Sequence, residues 1–243
     1  MRRLNLPLSS ATLVALFAAL GMILILAAAP LSLALSGRGP AAGLSAASVS
    51  GTVWRGRLTD AAFSGVRLGD VKVGVSPLSL LAAQVRLGFE GDAARGAVSL
   101  GPRRLQLSDL QADVPLSALA PDAGLAAQVG LTDFDLELHS AACRRAGGEV
   151  ALEQISLAGL ELPGLRLAGT AACADDDLVI PMQGQAEGVD VQADLRATPA
   201  GVYQVHLVLR TTRPEIEAAL TAAGYRRTLA GFETTLAGRL GLS

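Results

Sequence analysis

Charge, aromatic rings and reactive side chains are all scarce in this 243-residue chain. Charged residues make up 17% and aromatics 3%, with one Trp, two Tyr and five Phe. Two cysteines are too few for a four-thiolate zinc site or a disulfide-dense mini-domain. Lys72 is the one lysine among 20 basic residues, and a formal net charge of -2 argues against the basic stripe of a nucleic-acid binder. No G-x-S-x-G elbow, P-loop, H-E-x-x-H or strand-borne G-x-G-x-x-G occurs. The two imidazoles, His139 and His206, sit in strand-like runs beside Leu138 and between Val205 and Leu207, which reads as surface histidine on a strand. A nucleophile needs a base within hydrogen-bond reach, and no spacing here supplies one. The expectation is a non-enzyme with no catalytic residue, cofactor or metal. Asp175, Asp176 and Asp177 are consecutive and cannot all converge on one calcium ion, so they read as a solvated turn entering a strand. What is plentiful is aliphatic: 51% of residues are hydrophobic and 27 are glycine, so any core must be built from Ala, Val and Leu.

Part of that apolar content is not core. No charged residue lies between Arg3 and Arg38, and residues 11–29 read ATLVALFAALGMILILAAA. A helix of that length rises about 28 Å, close to a ~30 Å hydrocarbon layer. Its Leu, Ile, Val and Phe side chains contribute about -3 to -5 kcal/mol on an insertion scale. Pro30 marks a natural helix end. Arg2 and Arg3 precede the run, so the positive-inside bias keeps the N-terminus cytoplasmic and exports the rest. Ala34-Leu35-Ser36 resembles a signal-peptidase site, but the apolar run is longer than a signal-peptide core, which favours a retained anchor. The division expected is a short cytoplasmic tail (1–10), a transmembrane anchor (11–35), a Gly/Pro/Ala/Ser-rich linker (36–48) and one exported β-rich domain (49–243).

Beyond the linker, period-two alternation dominates. Val66 and Leu68 precede Gly69-Asp70, and Val71, Val73 and Val75 follow, which predicts a hairpin with Gly69-Asp70 as its turn. Further sets include Leu105-Leu107, Phe134-Leu136-Leu138, Val150-Leu152, Ile155-Leu157 and Val205-Leu207-Leu209, with glycines and aspartates read as separators. Residues 76–83 suit a brief helix or a crossing segment. Residues 213–223 make a convincing one, with Pro214 in its first turn, Glu215 and Glu217 at the positive dipole end and Gly224 as its stop. Residues 232–240 return to alternation. The fold class expected is mainly β: one N-terminal transmembrane helix, then a large curved antiparallel β-sheet domain with a short C-terminal helix. A sheet with an Ala/Leu-rich face must curl onto itself, or cover that face with lipid or protein.

Cys143 and Cys173 bracket a hairpin-like stretch, and in an exported protein such a pair is expected to be oxidised. A loop of about 30 residues corresponds to roughly 3.5 kcal/mol of chain-entropy stabilisation. The alternative is two unrelated buried thiols. Trp54, the one tryptophan, lies between Gly51 and Gly56 and reads as a core anchor over bare backbone, with a binding hot spot as the sharper alternative.

These features together resemble the type II secretion system protein N family, also called general secretion pathway protein N. The resemblance rests on the short basic N-terminus with its membrane segment and on the stretch Gly51-Thr52-Val53-Trp54-Arg55-Gly56, similar to a G-T-x-W-x-G element. It rests also on the paired cysteines, with Cys173-Ala174-Asp175-Asp176 similar to a turn after the second one. It implies an accessory inner-membrane component of the machine that exports folded proteins from the periplasm across the outer membrane. Such a component brings no cofactor and acts through the inner-membrane platform or the protein linking it to the outer-membrane channel. The implied location is the inner membrane, single-pass, with a periplasmic C-terminal domain in contact with membrane lipid and not with nucleic acid. The Ala-rich, low-aromatic domain also resembles AsmA-like envelope proteins, which implies the alternative of lipid handling or outer-membrane assembly. A third class, an envelope hydrolase, would need His139 or His206.

Overall fold

The computed structural model describes Leu31 and residues 44–63, 66–119, 125–157 and 160–239. The expected anchor falls outside these residues except for Leu31, which is helical and buried. Among the described residues no helix is long and apolar enough to cross a membrane.

Alternation folds as expected into antiparallel sheet. In chain order the elements are β1 (Leu44–Ser45), β2 (Ser48–Thr52), β3 (Arg55–Phe63), β4 (Val66–Val75), α1 (Pro77–Leu81), β5 (Val85–Gly91), β6 (Ala94–Leu100), β7 (Arg104–Pro115) and α2 (Leu116–Leu119). Then follow β8 (Leu125–His139), β9 (Ala142–Leu157), β10 (Leu160–Glu161), β11 (Leu167–Thr170), β12 (Ala172–Ala174), β13 (Asp177–Ala186), β14 (Val189–Ala197), β15 (Val202–Thr211), α3 (Pro214–Ala222), β16 (Arg226–Arg227) and β17 (Phe232–Arg239). Each strand from β2 to β9 pairs with the next. β11 links β9 to β13, and β13, β14, β15 and β17 continue the sheet. Among the described residues strand pairing starts at Leu44, inside the expected linker, because Leu44 pairs with Phe63 and packs on the apolar face.

The aspartate separators act differently from the expectation. Gly69 and Asp70 make no hairpin turn; they lie inside the continuous strand β4. Gly69 (φ +70°) stands opposite a register shift in β3, where Asp60 (φ +48°) is the bulged residue and its N–H donates to Asp70 Oδ1 at 3.3 Å. Aspartate tolerates the left-handed region better than most residues, so it can supply a bulge without ending a strand. The same device recurs at Asp109 in β7, Asp133 in β8 and Gln154 in β9 (φ +49 to +52°). Each bulge shifts the alternation by one residue. The core-facing set changes from Val129 and Leu131 to Phe134 and Leu136, and from Val150 and Leu152 to Ile155. The sets read as separate strands are therefore single long strands with a phase change inside them.

Two of these bulges, at Asp109 and Asp133, lie close together in β7 and β8, with Gly96 of β6 and Gly148 of β9 opposite them, and the line continues to Ala171, where β11 breaks from β12. Ala171 N–H donates to the Gly148 carbonyl at 3.1 Å. Bulges increase local twist and bend a strand, so this line is a crease. The largest buried cluster joins Val114, Val129, Phe134, Val150 and Leu152 on one side of the sheet to Ile180, Met182, Val191, Leu207 and Leu209 on the other. The apolar face thus curls onto itself. Helix α3 contributes Ile216 and Leu220 to this core, as its spacing predicted.

Candidate functional site

Two places hold the motif residues that the sequence singles out, and strand register defines a third. The first is the β2–β3 hairpin. Thr52 pairs with Arg55, which leaves Val53 and Trp54 as a two-residue turn. Gly51 pairs with Gly56 across the hairpin and has φ +86°; a β-carbon there would sit 2.5 Å from the Arg55 carbonyl oxygen. Arg55 N–H donates to Thr52 Oγ1 at 3.4 Å. Trp54 is half-buried in the turn and not a core anchor in a strand. Its carbonyl lies close over β4, where a β-carbon at Gly74 would come 2.6 Å from the Trp54 oxygen. The neighbouring carbonyl of Val53 accepts from Val75 N–H at 3.0 Å. The hairpin tip is thus strapped to β4 by backbone contacts that small residues permit.

The second place is the junction of β9 and β12. Cys143 and Cys173 form a disulfide with a Cα–Cα distance of 5.6 Å. It stands just past the break at Ala171, where the β9–β11 ladder has ended. Cys143 N–H donates to the Asp176 carbonyl at 2.7 Å. Asp175 (φ +50°) and Asp176 (φ +68°) are the two central residues of the β12–β13 turn, since Ala174 pairs with Asp177. Two left-handed residues in a two-residue loop match the twist of a hairpin. Arg196 Nη2 lies 3.0 Å from Asp175 and its Nε 3.7 Å from Asp177, while Arg144 Nη1 lies 3.7 Å from Asp176. The aspartates are a solvated, arginine-paired turn.

The third place was not read from the sequence. Residues paired directly across strands share a face, and one such row runs Val75, Leu87, Val98, Leu107, Leu136 and Ala146 over β4 to β9. All six are half-buried. A second row starts with Val85 and Leu100, which are 43% and 39% exposed, and passes through Leu105 and Leu138 to Cys143. These rows join a small cluster of Leu31, Leu58, Ala61 and Val71 to the main core without belonging fully to either. At one end, Leu100, Pro102, Leu105, Leu138, Ala141 and Pro199 border a hollow of about 700 Å³. The opposite face of the same strands is polar: Arg57, Lys72, Glu90, Arg95 and Gln111 follow one another across β3 to β7. The signal in the sequence was present as leucine and valine at matched positions. Their alignment depended on registers that single-strand alternation does not contain.

His139 and His206 are both exposed, at the end of β8 and on the outer face of β15, opposite Asp194 and Thr235. The hairpin of Gly51 and Gly56 and the disulfide are separated by β4 to β8, so the structure does not assemble them into one site.

Compared with known proteins, residues 42–232 match the family described as Type II secretion system (T2SS), protein N. No curated protein and no solved structure matches.

Proposed function

The chain belongs to the type II secretion system protein N family, and from that premise we propose a non-enzymatic accessory component of the secretion machine. In this reading the apolar run that opens the expected 11–35 anchor holds it in the inner membrane, Leu31 near that anchor's end packs on the sheet, and the sheet domain projects into the periplasm. It supports export of folded proteins by touching the inner-membrane platform or the protein that links it to the outer-membrane channel. The observation that carries the reading is the family match, which covers most of the chain and nearly the whole described sheet. The disulfide accords with an oxidising compartment. The polar outer face, with its mixed charges, suits reversible contact with other proteins. Deleting the gene should leave a secreted enzyme stranded in the periplasm, and the tagged full-length protein should co-purify with platform proteins. Normal secretion together with an empty pull-down would sink the proposal.

The half-buried aliphatic rows favour a second reading, in which the open inner face holds lipid. Contiguous exposed apolar area of this kind commonly marks an interaction surface. Native mass spectrometry of the detergent-extracted protein should then find bound phospholipid, and Val98→Arg should remove it without unfolding the sheet. Lipid-free wild-type protein would dismiss this reading and leave the first one standing.

A further inference from the structure

Gly56 needs an explanation that its backbone does not give. Its partner Gly51 is left-handed, but Gly56 has no positive φ and pairs as an ordinary strand residue with Gly51 on one side and Val73 on the other. The constraint is space. A β-carbon on Gly56 would fall inside the van der Waals envelope of Leu31 Cδ2, with Leu31 Cγ at 3.3 Å and the Thr52 carbonyl oxygen at 3.2 Å. Leu31 is 5% exposed and packs with Leu58, Ala61 and Val71, which are 2%, 1% and 5% exposed. Leu44, Ala46, Val49 and Phe89 close around them. Leu31 immediately follows Pro30 and the apolar run of residues 11–29. A side chain at the end of that run is therefore a knob, and the bare backbone of Gly56 is the floor of its hole.

We propose that the Gly56 face of β3 and β4 is the docking seat of the N-terminal segment, locked by Leu31. The two glycines of the Gly51–Gly56 element then have separate tasks. Gly51 lets the hairpin close, and Gly56 lets Leu31 sit against the sheet. Seated this way, Leu31 and the sheet move as one body, and the open apolar face begins beside the residue that follows the membrane-directed run. The last statement rests on the anchor reading above; the lock itself does not.

The test uses the full-length chain in membranes. Leu31→Cys combined with Gly56→Cys should form a cross-link under mild oxidation, beside an intact Cys143–Cys173 bond. Gly56→Val should speed trypsin cleavage at Arg38 by roughly ten- to hundredfold, the factor by which losing a buried leucine contact shifts a local opening equilibrium. Gly56→Ala should have a milder effect that Leu31→Ala suppresses, because the shortened side chain vacates the space the new methyl needs. Unlinked, freely alkylated thiols at positions 31 and 56 in protein that retains its native disulfide would overturn the lock. So would a Gly56→Ala defect that Leu31→Ala leaves undiminished. Carbonate extraction separates the two proposals: release of cross-linked protein from the membrane overturns the anchor and leaves the lock intact.

Discussion

Asp109 and Asp133 show how much a single residue decides in this protein. Each sits at positive φ inside a strand and moves the buried set to the other parity. Their side chains and neighbours lace the outer side of the crease: Gln111 Nε2 donates to Asp133 Oδ1 at 2.9 Å, Arg95 donates to Gln111, and Asp109 N–H donates to Asp135 Oδ1 at 3.1 Å. Replacing Asp109 by valine should cost about 1–2 kcal/mol, since a β-branched residue is strained in the left-handed region, whereas Asp109→Gly should cost less. Urea midpoints of the two variants check the order. The disulfide is the other decisive pair. Cys143→Ser with Cys173→Ser should lower stability by roughly 3.5 kcal/mol, and reductant should reproduce the loss in the wild type. An unchanged midpoint on reduction would show that the bond constrains nothing in the unfolded chain.

At the scale of elements, α3 is the clearest case of local signals agreeing. Pro214 starts it, Ile216 and Leu220 are buried at 1% and 2% exposure, and Gly224 (φ +83°) follows it. Ile216→Ala should destabilise the protein by about 2–5 kcal/mol, because the curled core cannot collapse fully into the space left. Glu215 has its carboxyl held below the ordinary 4.5 by a backbone hydrogen bond and by Arg213, whose Nε lies 2.6 Å away. The folded pKa is depressed, so this contribution is present above the unfolded value and lost as pH falls through the folded one. An NMR titration of Glu215 should find its midpoint below 4.5, and Arg213→Ala should move that midpoint upward. Helix α3 was readable because its start, buried face and stop all lie within a dozen residues. At Gly69-Asp70 the local signal is ambiguous, because a glycine–aspartate pair serves a hairpin turn and a strand bulge equally well. Only the pairing of β3 with β4 distinguishes them.

Across the whole molecule, an open sheet with a crease produces two different halves. From β7 onward the apolar face closes over itself and over α3. From β4 to β6 the rows through Leu87 and Val98 remain half-covered, and Leu31 packs at their beginning. A Leu87→Arg change in the open half should therefore cost less stability than Leu207→Arg in the closed half, where the charge would be buried without a partner. Thermal unfolding of the two variants gives the comparison, and equal losses would mean the open half is as tightly packed as the closed one.

The share each level of organisation contributes follows from the range of the forces involved. Alternation, the Gly51–Gly56 element, the cysteine pair and the capping of α3 are local or compositional, so β class, family resemblance and the C-terminal helix were legible residue by residue. Parity changes at Asp109, Asp133 and Gln154 are also written in the chain, but they look like strand ends until a neighbouring strand supplies the register. Which leucines share a row, which half of the sheet closes, and why Gly56 must be bare depend on contacts between residues far apart in sequence. Those contacts exist only once the sheet has curled and Leu31 has come down on it.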